Sequence, residues 1–136
     1  MRRHLRHTVL IVDDDSDDRE SIRDAFLENK HNHDYTFLQS GDHLIEHLSG
    51  ADTTHPSLIL LDLNMPGRDG RDVLKTLKAD GTYKPIPIIV LTTSASDKDR
   101  KASYELGANC FITKPDSYKD LVEITDSIAR LWFIQS

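Results

Sequence analysis

The 136-residue chain holds one cysteine, no long apolar run and no surplus of positive charge. A single thiol, Cys110, cannot close an internal disulfide, and its place in a strand-like segment reads as a small buried hydrophobe. No stretch approaches the roughly 20 apolar residues needed to span a bilayer. The opening Met1-Arg2-Arg3-His4-Leu5-Arg6-His7 is basic. It passes directly into a strand-like segment, without the apolar core and small-residue cleavage site of a signal peptide, so the expected location is the cytoplasm. Lys and Arg number 17 against 23 Asp and Glu, a formal net charge of −6. That balance weighs against general nucleic-acid binding, which rests on clustered basic residues neutralising phosphates. There is no internal repeat, low-complexity tract or interdomain linker. The expectation is one domain over 1–136, with a core from about 8 to 132 and no output domain, large enough to bury about two-thirds of its unfolded surface.

What the chain does contain is a series of short apolar runs that each stop at a polar group. Leu58-Ile59-Leu60-Leu61 runs unbroken into Asp62, and proline and glycine follow at once in Asn64-Met65-Pro66-Gly67-Arg68-Asp69-Gly70. That pattern reads as a strand buried on both faces and then a loop. Taken alone, Asp62 is most simply an N-cap or turn carboxylate. The other runs repeat the arrangement, however. Thr8-Val9-Leu10-Ile11-Val12 ends at Asp13-Asp14-Asp15, Ile88-Ile89-Val90-Leu91 ends at Thr92-Thr93-Ser94, and Cys110-Phe111-Ile112-Thr113 closes at Lys114-Pro115. Tyr35-Thr36-Phe37-Leu38, mixed aromatic and polar, fits a half-exposed edge strand.

Helical spacing fills the intervals: Ile22, Ala25 and Phe26 after a cap at Asp15 or Ser16; Leu44, Ile45 and Leu48; Val73, Leu74 and Leu77. A fourth helix from Ser96 or Asp97 has a thin apolar face of Ala102, Leu106 and Tyr104, which marks it as a candidate moving part. The last helix places Tyr118, Leu121, Val122, Thr125, Ile128, Ala129 and Trp132 on one face, and Ile124, Leu131 and Ile134 on a second stripe. Five strands alternating with five helices predict an α/β fold with a parallel sheet covered on both faces, because each parallel connection needs a crossover. One edge strand near the N-terminus favours the flavodoxin-like order 2-1-3-4-5, a (βα)5 three-layer sandwich.

In that fold Asp13, Asp14, Asp62, Thr92 and Lys114 all lie on one rim. Two carboxylates about 4 Å apart repel by roughly 4 kcal/mol at an effective dielectric of 20, so the cluster calls for a cation. Oxygen ligands with few companions suit Mg²⁺. An Asp62 beside the metal is placed to act as nucleophile on a phosphoryl group, with Lys114 neutralising charge and Thr92 donating a hydrogen bond.

These residues resemble the receiver domain of two-component response regulators, from Val9 to about Trp132. The resemblance rests on Asp13-Asp14, on Leu61-Asp62-Leu63-Asn64-Met65-Pro66-Gly67-Arg68-Asp69-Gly70, on Thr92, and on Phe111-Ile112-Thr113-Lys114-Pro115. It implies that Asp62 is the phosphoacceptor, that Asp14, Asp62 and the backbone carbonyl of Asn64 bind Mg²⁺ with Asp13 acting through water, and that Thr92 and Lys114 contact the phosphoryl group. It also implies Phe111 as an aromatic switch and a cis Lys114–Pro115 bond. The run at 88–94 is similar to that of small stand-alone receivers, the phytochrome-associated response regulators among them. Where receivers usually carry a small residue after the switch hydroxyl, this chain has Thr93; the spacing to Lys114 favours Thr92, and the tandem hydroxyls leave the choice open. The implied activity is signalling rather than enzymatic turnover. A histidine kinase or phosphotransfer protein gives its phosphoryl group to Asp62, Thr92 and Thr93 move inward, and Phe111 follows. The surface of the fourth helix, fifth strand and fifth helix then changes, a surface whose second stripe suggests a partner or a second copy of the chain.

Four rival readings are weaker. A pseudo-receiver, a constitutive interaction module, would not need all five rim residues. A haloacid dehalogenase-like phosphatase would use Asp13 but wants Thr or Val where Asp17 stands. His43-Leu44-Ile45-Glu46-His47 fits H-x-x-E-H, yet offers no third zinc ligand or cleft. The run Asp13–Asp18 lacks the glycine of a calcium loop. His31-Asn32-His33 reads as a solvated loop.

Overall fold

The computed structural model describes residues 6–50 and 55–133. Five strands, β1 (Thr8–Val12), β2 (Asp34–Leu38), β3 (Leu58–Leu61), β4 (Ile88–Thr92) and β5 (Cys110–Thr113), alternate with helices α1 (Ser16–Glu28), α2 (Gly41–Leu48), α3 (Gly70–Ala79), α4 (Asp97–Glu105) and α5 (Tyr118–Trp132). All pairings are parallel, in the order β2-β1-β3-β4-β5. Among the described residues no helix is long and apolar enough to cross a membrane.

The central strands are apolar throughout because both faces are covered, and side chains alternate between two cores. Leu10, Val12, Ile59, Leu61, Ile88 and Val90 meet α2 and α3 on one face. Val9, Ile11, Leu58, Leu60, Ile89 and Leu91 meet α1 and α5 on the other. Helix starts are set by side-chain caps, which satisfy the free N–H groups of the first turn. Asp15 accepts from the N–H groups of Asp17 and Asp18 at α1, and Ser96 from Asp99 at α4. The last helix buries Leu121, Thr125, Ile128 and Ala129, whereas α4 buries only Ser103.

Four expectations need correction. Tyr118, expected on one face with the buried residues of α5, is exposed, since it is the first residue of that helix and burial begins at Leu121. Cys110 is half-buried rather than buried, since β5 is an edge strand. Lys114–Pro115 is trans, like every described peptide bond, and trans is the default even before proline. The 31–33 turn is not a solvated loop. His31 Nε2 lies 2.8 Å from Asp126 Oδ1, and His33 Nδ1 accepts from the His7 N–H at 3.1 Å, so the turn packs against the end of α5. Ile134 of the second α5 stripe falls outside the described residues.

Candidate functional site

Each rim residue stands just past a strand that holds it. Asp13 follows β1 and donates its N–H to the Leu38 carbonyl; Asp62 follows β3 and donates to the Val12 carbonyl at 3.0 Å. The loop after Asp62 then folds back on the start of α3, where Gly70 N–H reaches the Leu63 carbonyl. A Cβ at Gly70 would lie 2.6 Å from the Asp62 carbonyl oxygen, so only glycine lets α3 begin against the strand end. Gly67, with φ +81°, makes the turn between them.

Carboxylate oxygens of Asp13, Asp14 and Asp62 lie within 4.8 Å of one another, the single such group of three or more metal-ligating side chains among the described residues. Asp13 and Asp62 are buried and Asp14 is exposed, which leaves the group one open side. The donor set is all hard oxygen and carries excess negative charge, which fits a divalent cation of the magnesium type. The Lys114 ammonium stands 2.7 Å from Asp13 Oδ2, 2.7 Å from Asp18 Oδ2 and 3.2 Å from Asp62 Oδ2. Burial pushes the Asp13 carboxyl above the usual carboxylate range, against the pull of Lys114 and of the Asp15 N–H. Burial acts on Lys114 in the sense of neutralising it, but the carboxylates of Asp13 and Asp18 outweigh that and hold its pKa above the ordinary lysine value. Both directions express one balance: a desolvated acid pocket sharing one ammonium.

Around this centre Asn64 donates its N–H to Asp62 Oδ1 at 3.1 Å and its side-chain amide to Thr92 Oγ1 at 3.3 Å. Thr92 is fully buried and Thr93 is exposed. Phe111 is buried in the α2/α3 core, with the Arg100 guanidinium 5.8 Å from its ring centre and its N–H donating to the Tyr104 hydroxyl at 3.1 Å. Thr92 and Phe111 therefore already face inward. Thr93, the other hydroxyl of the expected switch, faces solvent.

The sequence missed Asp18. It lies in the first turn of α1, within an acidic run read as a helix start and weighed as a calcium loop, and nothing in that run marks its reach to Lys114. Arg71 and Asp99, which pair at 2.7 Å between α3 and α4, had no sequence signal at all. His43, Glu46 and His47 border a broad surface hollow with Phe37, Leu38 and Gly50, and form no three-ligand group.

The family model for the response regulator receiver domain matches residues 9–126. The chain belongs to that family. Receiver domains are signalling domains of two-component systems, and this one is similar to receivers of phytochrome pathways. Response regulator Rcp1 of Synechocystis sp. is 36% identical over 128 residues, covering 91% of this chain and 87% of its own. The crystal structure of the phosphorylated cyanobacterial phytochrome response regulator RcpA superposes with a TM-score of 0.89 at 34% identity, over 97% of each chain. The Mn(2+)-bound form of Rcp1 superposes with a TM-score of 0.86 at 35% identity, over 96% of each.

Proposed function

We propose that this receiver takes a phosphoryl group from the phosphohistidine of a kinase or phosphotransfer protein onto Asp62, with Mg²⁺ as its cation, and acts in the cytoplasm as a phosphorylation-controlled binding module. The single observation that supports this best is the Lys114 ammonium bridging Asp13 and Asp62 inside a group of three carboxylates. Asp14, Asp62 and the backbone carbonyl of Asn64 would hold the metal, with Asp13 behind a water; when bound, Mg²⁺ supplies charge neutralisation to the phosphoryl oxygens. An Asp62 oxygen attacks phosphorus, the P–O bond forms as the P–N bond breaks, and the imidazole leaves with the electron pair and takes up a proton. Lys114 and Thr92 hydrogen-bond the phosphoryl oxygens, and their fixed positions lower the reorganisation the transfer needs. Thr92 rather than Thr93 is the switch hydroxyl in this reading, since it alone of the two lies in the pocket. With Thr92 and Phe111 already inward, phosphorylation locks the arrangement rather than creating it, and reversing a 1:99 population takes about 5.5 kcal/mol of differential binding.

Acetyl phosphate with Mg²⁺, followed by intact-mass measurement, is expected to add one phosphoryl group to the wild type and none to Asp62→Ala. An unmodified wild type would instead make the chain a constitutive interaction module. A second copy of the chain docking on α4, β5 and α5 is favoured by one observation: Leu131 is 70% exposed beside an apolar hollow of about 230 Å³ lined by Cys110, Ile112, Ile124 and Trp132. Leu131→Asp is expected to shift the mass in solution to that of a monomer; an unchanged oligomer removes the idea.

A further inference from the structure

Lys114 has three N–H donors and three carboxylate partners. The two short contacts, 2.7 Å each, go to Asp13 and Asp18, and the contact to Asp62 is the long one at 3.2 Å. Charge-assisted N–H to carboxylate bonds cluster at about 2.7–2.9 Å, so of the two carboxylates that Lys114 hydrogen-bonds, Asp18 at 2.7 Å is engaged more closely than Asp62 at 3.2 Å, the residue proposed to accept the phosphoryl group. Asp18 is the unexpected partner. It belongs to neither the acidic pair after β1 nor the loop after β3, and reaches the pocket from the first turn of α1.

An acidic residue there has an ordinary use, since negative charge at a helix N-terminus is favourable. Asp17 occupies the same turn with the same charge, and is exposed. Both donate their backbone N–H to Asp15 Oδ1, and only Asp18 extends its carboxylate to Lys114. Helix stabilisation accounts for both acids equally and does not account for that contact. The side chain of Lys114 is 12% exposed and that of Asp18 42%, so Asp18 closes the solvent side of an otherwise enclosed ammonium.

We infer that Asp18 is a positioning residue that draws Lys114 toward α1 and so sets how much of its charge reaches Asp62. The inference rests on the phosphoacceptor reading above for its consequence in signalling. Before phosphorylation, an ammonium drawn toward α1 leaves Asp62 free for a cation. After phosphorylation, the Asp18 carboxylate competes with the phosphoryl oxygens for the same donors. Loss of Asp18 therefore has two opposite effects: weaker divalent binding by the unphosphorylated protein, and a more stable phosphorylated one.

The test compares Asp18→Asn, Asp18→Glu and Asp17→Asn in the full chain, with folding checked by circular dichroism. In calorimetric titration with Mg²⁺ alone, Asp18→Asn is expected to weaken binding about threefold to tenfold more than Asp17→Asn, the size of a partly screened ion pair. At saturating Mg²⁺ and limiting acetyl phosphate, Asp18→Asn is expected to hold a larger phosphorylated fraction, and to lose it about threefold to tenfold more slowly after donor removal. Asp18→Glu, which keeps a carboxylate, should stay near wild type in both. Equal changes in Asp17→Asn and Asp18→Asn overturn the inference, because the effect is then one of net charge alone; so does a null result for Asp18→Asn, or an Asp18→Glu that behaves like it. A wild type that takes up no phosphoryl group overturns the phosphoacceptor reading, and the Mg²⁺ titrations then decide the role of Asp18 by themselves.

Discussion

The two helices that flank β5 are held in opposite ways. On one side α5 buries Leu121, Thr125, Ile128 and Ala129 against α1 and the sheet. On the other, α4 buries a serine and is fixed by polar contacts. Asp99 pairs with Arg71 of α3 at 2.7 Å and accepts from the Ser94 hydroxyl at 2.6 Å; Arg100 covers the Phe111 ring, and the Tyr104 hydroxyl receives the Phe111 N–H. Apolar burial holds a helix without regard to direction and changes little when a nearby charge changes. A few directional polar contacts are exchangeable, so the helix they fix has alternative positions at similar free energy. These contacts of α4 end on the loop after Thr92, on the start of α3 beyond Asp62, and on Phe111. The polar helix thus has its directional contacts near the pocket, and the apolar one is held by the core.

The largest expected effect breaks that core. Ile128 is almost fully buried, and Ile128→Ala should cost about 2–5 kcal/mol in urea unfolding, through lost burial and the cavity left behind. The folded fraction should still react at Asp62, since no pocket residue is touched. Asp99→Ala is the counterpart on the other side. It should cost far less stability, while amide exchange across α4 rises severalfold and exchange in α5 stays at the wild-type rate. If α5 loosens equally, the contrast between the two helices is wrong. Tyr104→Phe is milder still. It removes one hydrogen-bond partner from an edge-strand N–H that water can serve, so the expected cost is about 0.5–1 kcal/mol or less, with faster exchange of the Phe111 amide as the specific sign.

How far this contrast was legible in the sequence depends on the kind of contact. Strand runs ending at Asp13, Asp62, Thr92 and Lys114 were readable because burial on both faces forces unbroken apolar residues, and because parallel topology then fixes which end carries the polar group. The thin apolar face of α4 was readable for the same reason: periodicity reports burial. What held α4 instead was not. Arg71 and Asp99 are 28 positions apart, and nothing in either neighbourhood distinguishes them from surface charges; only the packing of α3 against α4 brings them together. Asp18 is intermediate, since the cap at Asp15 places it in the first turn of α1 but does not show its reach to Lys114. The turn at 31–33 failed differently. Three polar residues between a helix and a strand look solvated, and the half-burial of His31 and His33 depends on contacts with the α5 region, one of them over 95 positions.

That turn supplies the smallest and sharpest test, because it anchors the far end of α5 with titratable groups. His33 stacks edge-on to Phe133 with ring centres 4.7 Å apart, and Phe133 lies face to face with His7 at 4.9 Å. Burial lowers the His33 pKa below the ordinary 6.5, and the neighbouring His7, His31 and Arg6 push the same way, opposed only by Asp34. An unfolded chain takes up a proton near 6.5 and the folded chain resists it. Stability from this group is therefore complete above that value and declines as pH falls below it. The Asp126 carboxylate beside His31 does not cancel the decline, because its pKa is lowered from 3.8 by His31 and Arg130 and so matters only in stronger acid. Unfolding curves at about pH 7.5 and 5.5 should show the wild type losing more stability on acidification than His33→Gln, whose amide oxygen still accepts the His7 N–H and cannot charge. Protection of the amides in the last turn of α5, referred to the intrinsic exchange rate at each pH, should fall at the lower pH while that of α4 holds. Equal losses in the two proteins would place the acid sensitivity elsewhere, and a response confined to α4 would mean that the apolar helix is not the fixed member of the pair.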